Sequence, residues 1–499
     1  MLNKLGDTKI LKKDFKYKIM QTFLKNIKAL FIIMAIIFAI PSYVYLFNNK
    51  TLLNFDGNLE YCFLLTNNIN RLYQAIIYTI IITIIVIIYF MIIKFRKQIF
   101  KNVNQIFIFI TIVSSIFVFV VPFWCSDVFY YLGIGRLAEE YHQNPYYTDM
   151  KSFIDNNEIN MEKDTVMQKG YKNYWAKTTV VYGAVWTIIC SIISFLSLGR
   201  LELGLLIFKI INLLIHIGNC YLLFKISKKK VFPILYGLNP FILIEGIANV
   251  HNDLFVIFFL LLSLYQLLNK KSIISCLLYL ALATDIKYFT ILFLPFIIIY
   301  YYKNQDIKTR IINCIKFGSL FILFVIIPYI VFFKDFRIFM GLLTQRERIA
   351  KGLYLFISEY FNNPPGLTEY IKTIALAIFT VIYFNTCVSL LFSKTIIFSK
   401  QMKIVYLFLL AFIFLLITNF QPWYFIWLSP LMIWQNSKNI KLIIQMQLLT
   451  LYANIVFLIN SENFRYGVPF FMIFVFGILI CIIKNNKNRT IYIRRNKFE

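Results

Sequence analysis

Long apolar runs alternate along this chain with short, mostly basic connections. The run IIYTIIITIIVIIYFMII over 76–93 alone supplies the roughly 18–20 apolar residues that cross a bilayer. Comparable runs predict helices at 29–47, 72–93, 104–124, 204–224, 231–248, 253–268, 272–285, 288–302, 311–333, 371–393, 403–419, 422–435, 441–459 and 467–483. Barrel strands would alternate apolar and polar positions, and these segments do not. Only helices satisfy their own backbone in lipid within one segment, so the pattern predicts an all-α polytopic membrane bundle.

The connections orient it. KISKKK (225–230) and the basic segments that follow every second predicted span fall on one side if the apolar stretch 180–198 does not cross. If that stretch crosses, the bias reverses. The positive-inside rule therefore predicts a re-entrant or interfacial helix near 180–198 and about 14 crossings, with both termini cytoplasmic. On this parse Asp7, Asp14, Asp306 and Glu499 are the cytoplasmic acids, and the others lie outside or at outer span ends. The expected organisation is a basic lead (1–28), one transmembrane domain (29–483) with long outer loops at 125–203 and 334–370, and a basic tail (484–499). Loops of that length are uncommon unless they carry function. The lead is too long for a secretory signal, and no small-residue cleavage site follows it.

Composition supports this reading. Sixty per cent of the 499 residues are hydrophobic, and the mean hydropathy is +0.71, against roughly 45–50% apolar in soluble domains. A net charge of +28 would suit nucleic acid, but the positives lie between apolar spans, so no nucleic-acid partner is expected. The eight cysteines form no CxxC and mostly sit in apolar runs, so they read as core residues; the sequence does not pair Cys62 with Cys125. Three scattered histidines, His142, His216 and His251, exclude a histidine-rich metal site.

Polar groups at membrane depth are costly, about 2.5–3.5 kcal/mol for a charge, and those here collect at predicted outer span ends. They are Asp127 after the third span, Glu245, Asn249, His251, Asn252 and Asp253 in NPFILIEGIANVHND, Asp285 and Lys287 in ATDIKY, and Gln421 in TNFQPWYF. Lys209, Lys316 and Lys372, near span ends, read as snorkelling. Each has an ordinary explanation: Asp127 as a helix cap, His251 as a satisfied interface residue, Arg346 and Arg348 as a solvated face. Their convergence on one side instead suits a substrate that is half lipid and half polar. Lys287, Arg346 and Arg348 are candidates to hold a phosphate. Trp124, Tyr130, Tyr131, Trp423 and Tyr424 are candidates to stack on sugar or to form the interfacial aromatic belt, and Asp127 is a candidate general base.

SDVFYYLGIGRLAEEYHQNPYY resembles the first outer loop of bacterial polyprenol-phosphate-mannose-dependent α-mannosyltransferases, members of the GT-C superfamily of membrane glycosyltransferases. Ser126-Asp127-Val128, Gly135-Arg136 and Asn144-Pro145-Tyr146 carry that likeness. YGAVW (182–186) is similar to the family's YGPLW, with Ala184 where proline is usual, and LNPFILIEGIANVHND, ATDIKY and FQPWYFIWLSPL follow in the family's order. The resemblance implies a lipid-linked sugar donor, an extracytoplasmic active site and Asp127 as base. It also implies donor or substrate contacts among Arg136, Glu245, His251, Asn252, Asp253, Lys287, Gln421 and Trp423.

The resulting expectation is an inverting transferase moving a hexose, mannose being the leading candidate, from polyprenyl phosphate to a cell-envelope glycan or glycolipid. No cofactor or metal site is encoded outright; an Mg or Mn ion bridging Asp127 and the phosphate is compatible with the pattern. The alternatives are a polymerase or ligase of lipid-linked glycans, and a transporter or flippase. A transporter should place charges at the midplane and repeat its halves, and this chain does neither.

Overall fold

The computed structural model describes residues 26–44, 52–54, 71–347 and 366–459, with positions 22, 24, 354 and 357, and excepting 124, 158 and 270. The described residues are mostly helical and contain no β-strand. The predicted span 467–483, Cys62, residues 1–21 and the tail 484–499 lie outside them.

The helices are α1 (Asn26–Val44), α2 (Arg71–Ile99), α3 (Val103–Val118), α4 (Asp127–Glu139), α5 (Met150–Asp155), α6 (Thr165–Tyr171), α7 (Ala184–Ser197), α8 (Leu201–Ser227), α9 (Val231–Gly237) and α10 (Pro240–Ala248). Then follow α11 (Asp253–Leu268), α12 (Ile273–Thr284), α13 (Tyr288–Tyr301), α14 (Ile307–Val331), α15 (Met340–Glu347), α16 (Leu367–Leu391), α17 (Phe398–Leu416), α18 (Pro422–Trp434) and α19 (Ser437–Ile459). Local sequence sets their starts. Asn102, Asp149, Asp164 and Ser272 each accept a backbone N–H of the helix they precede.

The chain forms two compact units, Met1–Tyr301 with Ile312–Phe339, and Tyr302–Ile311 with Met340–Glu499. In the second, Arg310 donates to the carbonyls of Leu391 and Ser393 at 2.7 and 2.9 Å, closing the end of α16.

Among the described residues, six helices are long and apolar enough to span, namely α1, α2, α8, α14, α16 and α17; α9 and α10 make a seventh if their 48° bend is one broken span. The protein is thus a multi-pass membrane protein. The expected count of about 14 also needs helices of 10–17 residues, such as α11, α12 and α13, and length and composition alone do not make these spans.

Identifiable breaks shorten them. Pro240 has no N–H to continue α9, and Asn239 restarts the chain by accepting from Phe241 N at 3.1 Å. Residues 243–248 then form a π-helix, with Asn249 N bonding Ile244 O at 2.9 Å. Val250 follows at φ 60°, a conformation costing a β-branched residue about 1–3 kcal/mol. The expected helix near 180–198 is present as α7, 14 residues long.

Two glycines permit the close approaches that seat α7. A Cβ on Gly135 would overlap the Cys190 carbonyl of α7, and one on Gly183 would overlap the backbone of Asp285. The YGAVW and ATDIKY segments are thereby locked together, with Trp186 N also donating to Asp285 O at 3.4 Å.

Candidate functional site

Three chain breaks in the first unit bring the costly polar residues together. Asp127 opens α4, where the unpaired N–H groups of a helix start favour a carboxylate. The segment leading to it is held from several directions. Ser42 Oγ accepts from Val121 N at 3.0 Å, Asn249 Oδ1 accepts from Phe123 N at 3.0 Å, and Asn173 Nδ2 donates to Ser126 O at 2.8 Å. Asn249 serves both sides, because its Nδ2 donates to Glu245 Oε2 at 2.9 Å. One side chain therefore couples the Asp127 segment to the π-helix.

The turn at Val250 delivers His251 into the middle of this arrangement. Its Nε2 lies 3.3 Å from Glu245 Oε2, and its Nδ1 lies 3.8 Å from Asp127 Oδ2 and 4.0 Å from Cys125 Sγ. Glu245, which has no cation beside it in sequence, thus faces an imidazole six residues on. The exposures separate the carboxylates. The Asp127 side chain is 12% exposed, whereas those of Glu245 and Asp253 are fully buried. Around Asp127, Tyr131 packs edge-on to Trp186 at 5.0 Å and its hydroxyl meets that of Tyr182 at 3.4 Å.

The third break lies between α12 and α13. Lys287 extends from it to bond Asp253 Oδ1 at 2.7 Å, and its side chain keeps 13% exposure. Two neighbours are fully buried with no hydrogen-bond partner: Asn252, through both amide atoms, and Asp285, through both carboxylate oxygens. Buried polar atoms are satisfied in the great majority of cases, so such groups ask for a ligand or water.

Sequence reasoning missed the support behind the cluster. Lys209, read as snorkelling, is buried, and its Nζ donates to Val120 O at 2.5 Å and Ala248 O at 2.8 Å. Asn212 donates to Gly246 O at 2.8 Å, His216 Nε2 lies 3.2 Å from Gly237 O, and Asn219 donates to Leu254 O at 3.0 Å. The positions 209, 212, 216 and 219 share one face of α8. They reach carbonyls along the bent and π-helical backbone of 237–254. The available signal was that 3-4-3 spacing inside an apolar run.

The remaining expected residues have surroundings of their own. Arg136, expected at substrate, turns instead to Asp164 and Glu139, both at 2.7 Å, and to Glu140 at 3.2 Å, because helix spacing and the start of α6 surround it with carboxylates. Burial works against its charge, but those partners outweigh it and hold its pKa above the ordinary guanidinium value. Burial and Asp164 likewise push the neighbouring Tyr141 hydroxyl up. Arg346 is in α15, with its side chain outside the described set, and Arg348 lies outside the described residues. Gln421 and Trp423 belong to the second unit; Gln421 is buried and donates to Asn419 Oδ1 at 3.0 Å, and Trp423 packs edge-on to Tyr424 at 6.2 Å.

An all-helical membrane protein with acids, an imidazole and a lysine gathered at helix breaks matches a known family along residues 54–303, about half of its length. Fold and match together define a GT-C-type membrane mannosyltransferase. The chain belongs to the family described as alpha-(1->6)-mannopyranosyltransferase, N-terminal domain, and the matched stretch ends two residues beyond Tyr301, where the first unit gives way to the second. No curated protein and no solved structure matches the chain.

Proposed function

We propose that the protein transfers mannose from a polyprenyl-phosphate donor to a hydroxyl of a cell-envelope glycan or glycolipid, with inversion, on the extracytoplasmic side. One oxygen of Asp127 takes the acceptor proton as the acceptor oxygen forms its bond to the anomeric carbon. The bond from that carbon to the phosphate oxygen breaks, and its electron pair leaves with the lipid phosphate. Such a leaving group needs charge stabilisation rather than a protonating acid, and the partly exposed ammonium of Lys287 supplies it. Asn252 and Asp285 offer hydrogen-bonding atoms suited to sugar hydroxyls.

The observation that carries this reading is the contrast in exposure: Asp127 alone among the clustered acids around His251 keeps an accessible side chain. Purified protein given polyprenyl-phospho-mannose and an acceptor is expected to release polyprenyl phosphate, and Asp127→Asn to abolish release while the unfolding midpoint holds. Full activity in that variant removes Asp127 from the chemistry. Sidedness is tested separately: reporter fusions at residues 150, 228 and 350 should read outside, inside and outside.

A further inference from the structure

Cys125, Asp127 and His251 present their ligand atoms within 4.8 Å of one another, and all three are buried. We propose that they bind a divalent transition metal of zinc's character. Cys125 and Asp127 come from the segment after α3, and His251 comes from the break after α10, so the ion would join two breaks that Asn249 already couples.

The spacing suits this. Nδ1 to Asp127 Oδ2, at 3.8 Å, is too long for a hydrogen bond. Ligand atoms around a tetrahedral zinc with bonds of about 2.0–2.3 Å lie roughly 3.3–3.8 Å apart, so the imidazole needs to close on each of the other two donors by about half an ångström, and the thiol and carboxylate on each other by about 1 Å.

The surroundings match a metal site in two further respects. Glu245 Oε2 stands 3.3 Å from Nε2, the position of the carboxylate that orients a ligating histidine and directs the lone pair of its other nitrogen to the ion. Asp127 N donates to Cys125 Sγ at 3.5 Å, which fixes the sulfur beside the carboxylate's own segment. Sulfur, imidazole and one carboxylate oxygen select a borderline-soft cation. The Mg or Mn ion compatible with the sequence prefers an all-oxygen set. Three protein ligands leave a fourth position open, the arrangement of catalytic rather than structural zinc.

In the transferase reading, on which only its use depends, the ion would sit against the acceptor hydroxyl. Asp127, binding through Oδ2, keeps its other oxygen for the proton.

The test measures metal directly. Protein purified in detergent without chelator is expected to carry about one zinc per chain by elemental analysis. Exchange with Co²⁺ should give visible d–d bands together with a near-ultraviolet thiolate-to-cobalt band, and Cys125→Ser should lose the latter band while keeping the wild-type unfolding midpoint. The wild-type cobalt spectrum decides the matter if that variant does not fold. Absence of bound metal together with no uptake of added Zn²⁺ or Co²⁺ overturns the site, leaving a thiol hydrogen-bonded to an imidazole. Failure of the two ideas is distinguishable: metal-free protein that still releases polyprenyl phosphate refutes the metal alone, and stoichiometric metal without any transfer refutes the transferase reading alone.

Discussion

Lys209→Met isolates the support behind the site. Methionine keeps most of the stem's length and apolar packing and removes the ammonium. The carbonyls of Val120 and Ala248, bonded at 2.5 and 2.8 Å, then lose a donor among apolar helices where water does not replace it. Each orphaned acceptor costs about 1–3 kcal/mol, and the substitution recovers part of this because an ammonium is no longer held out of water. The net loss should be on the order of 2 kcal/mol. Activity should suffer more than stability. Val120 lies seven residues before Asp127 and Ala248 three before His251, so the tie fixes both halves of the cluster, and displacing a reacting group by an ångström costs about 100-fold. The expected result is a lower unfolding midpoint in detergent, followed by tryptophan fluorescence, with kcat for polyprenyl-phosphate release down by roughly two orders of magnitude and KM little changed. Wild-type midpoint and kcat in Lys209→Met would refute the argument that this lysine holds the two breaks in register.

Other substitutions separate structural from chemical roles. Gly135→Ala should lower the unfolding midpoint by the equivalent of about 1–3 kcal/mol or more, since the added methyl meets backbone of α7 rather than a yielding side chain; an unchanged midpoint would show that the two helices part freely. Arg136→Met should destabilise the fold by leaving Asp164 and Glu139 facing each other, yet leave the donor KM unchanged, and a raised KM with normal stability would return Arg136 to the substrate. Asp285→Asn should raise the unfolding midpoint, because a buried carboxylate without a partner becomes neutral, while transfer falls. A lowered midpoint would mean the carboxylate is satisfied in the working protein.

The helices were legible because lipid demands continuous apolar runs, and most predicted segments coincide with an observed helix. Span count was not, because Pro240, the turn at Val250 and the break at Asp285–Lys287 cut apolar sequence into helices too short to count by length alone. In the candidate site, Asp127, Glu245, His251 and Lys287 stood out as charged or titratable groups in expensive places. Their mutual arrangement depended on a backbone turn that composition does not reveal. Lys209 reads as snorkelling because its position near a span end suits that equally well. Cys125 reads as core, and it is buried, but nothing in its local pattern signals that a histidine 126 residues on approaches its sulfur. Arg136 fell in a shared motif, and its motif neighbour Glu139 proved to be its partner.

The complementary faces of α8 and the broken segment that follows it bear on how the protein is made. Released singly into lipid, α8 would expose Lys209, Asn212, His216 and Asn219, and the chain after it would expose the very carbonyls those side chains satisfy. Neither is a comfortable lodger in hydrocarbon alone. They follow each other directly in synthesis, separated by the basic turn at 228–230, so each meets its counterpart as soon as both have emerged. Residues 201–248 are therefore expected to leave the insertion machinery as a pair, and damage to the α8 stripe should appear first as failed biogenesis, with protein retained or degraded before any substrate is met.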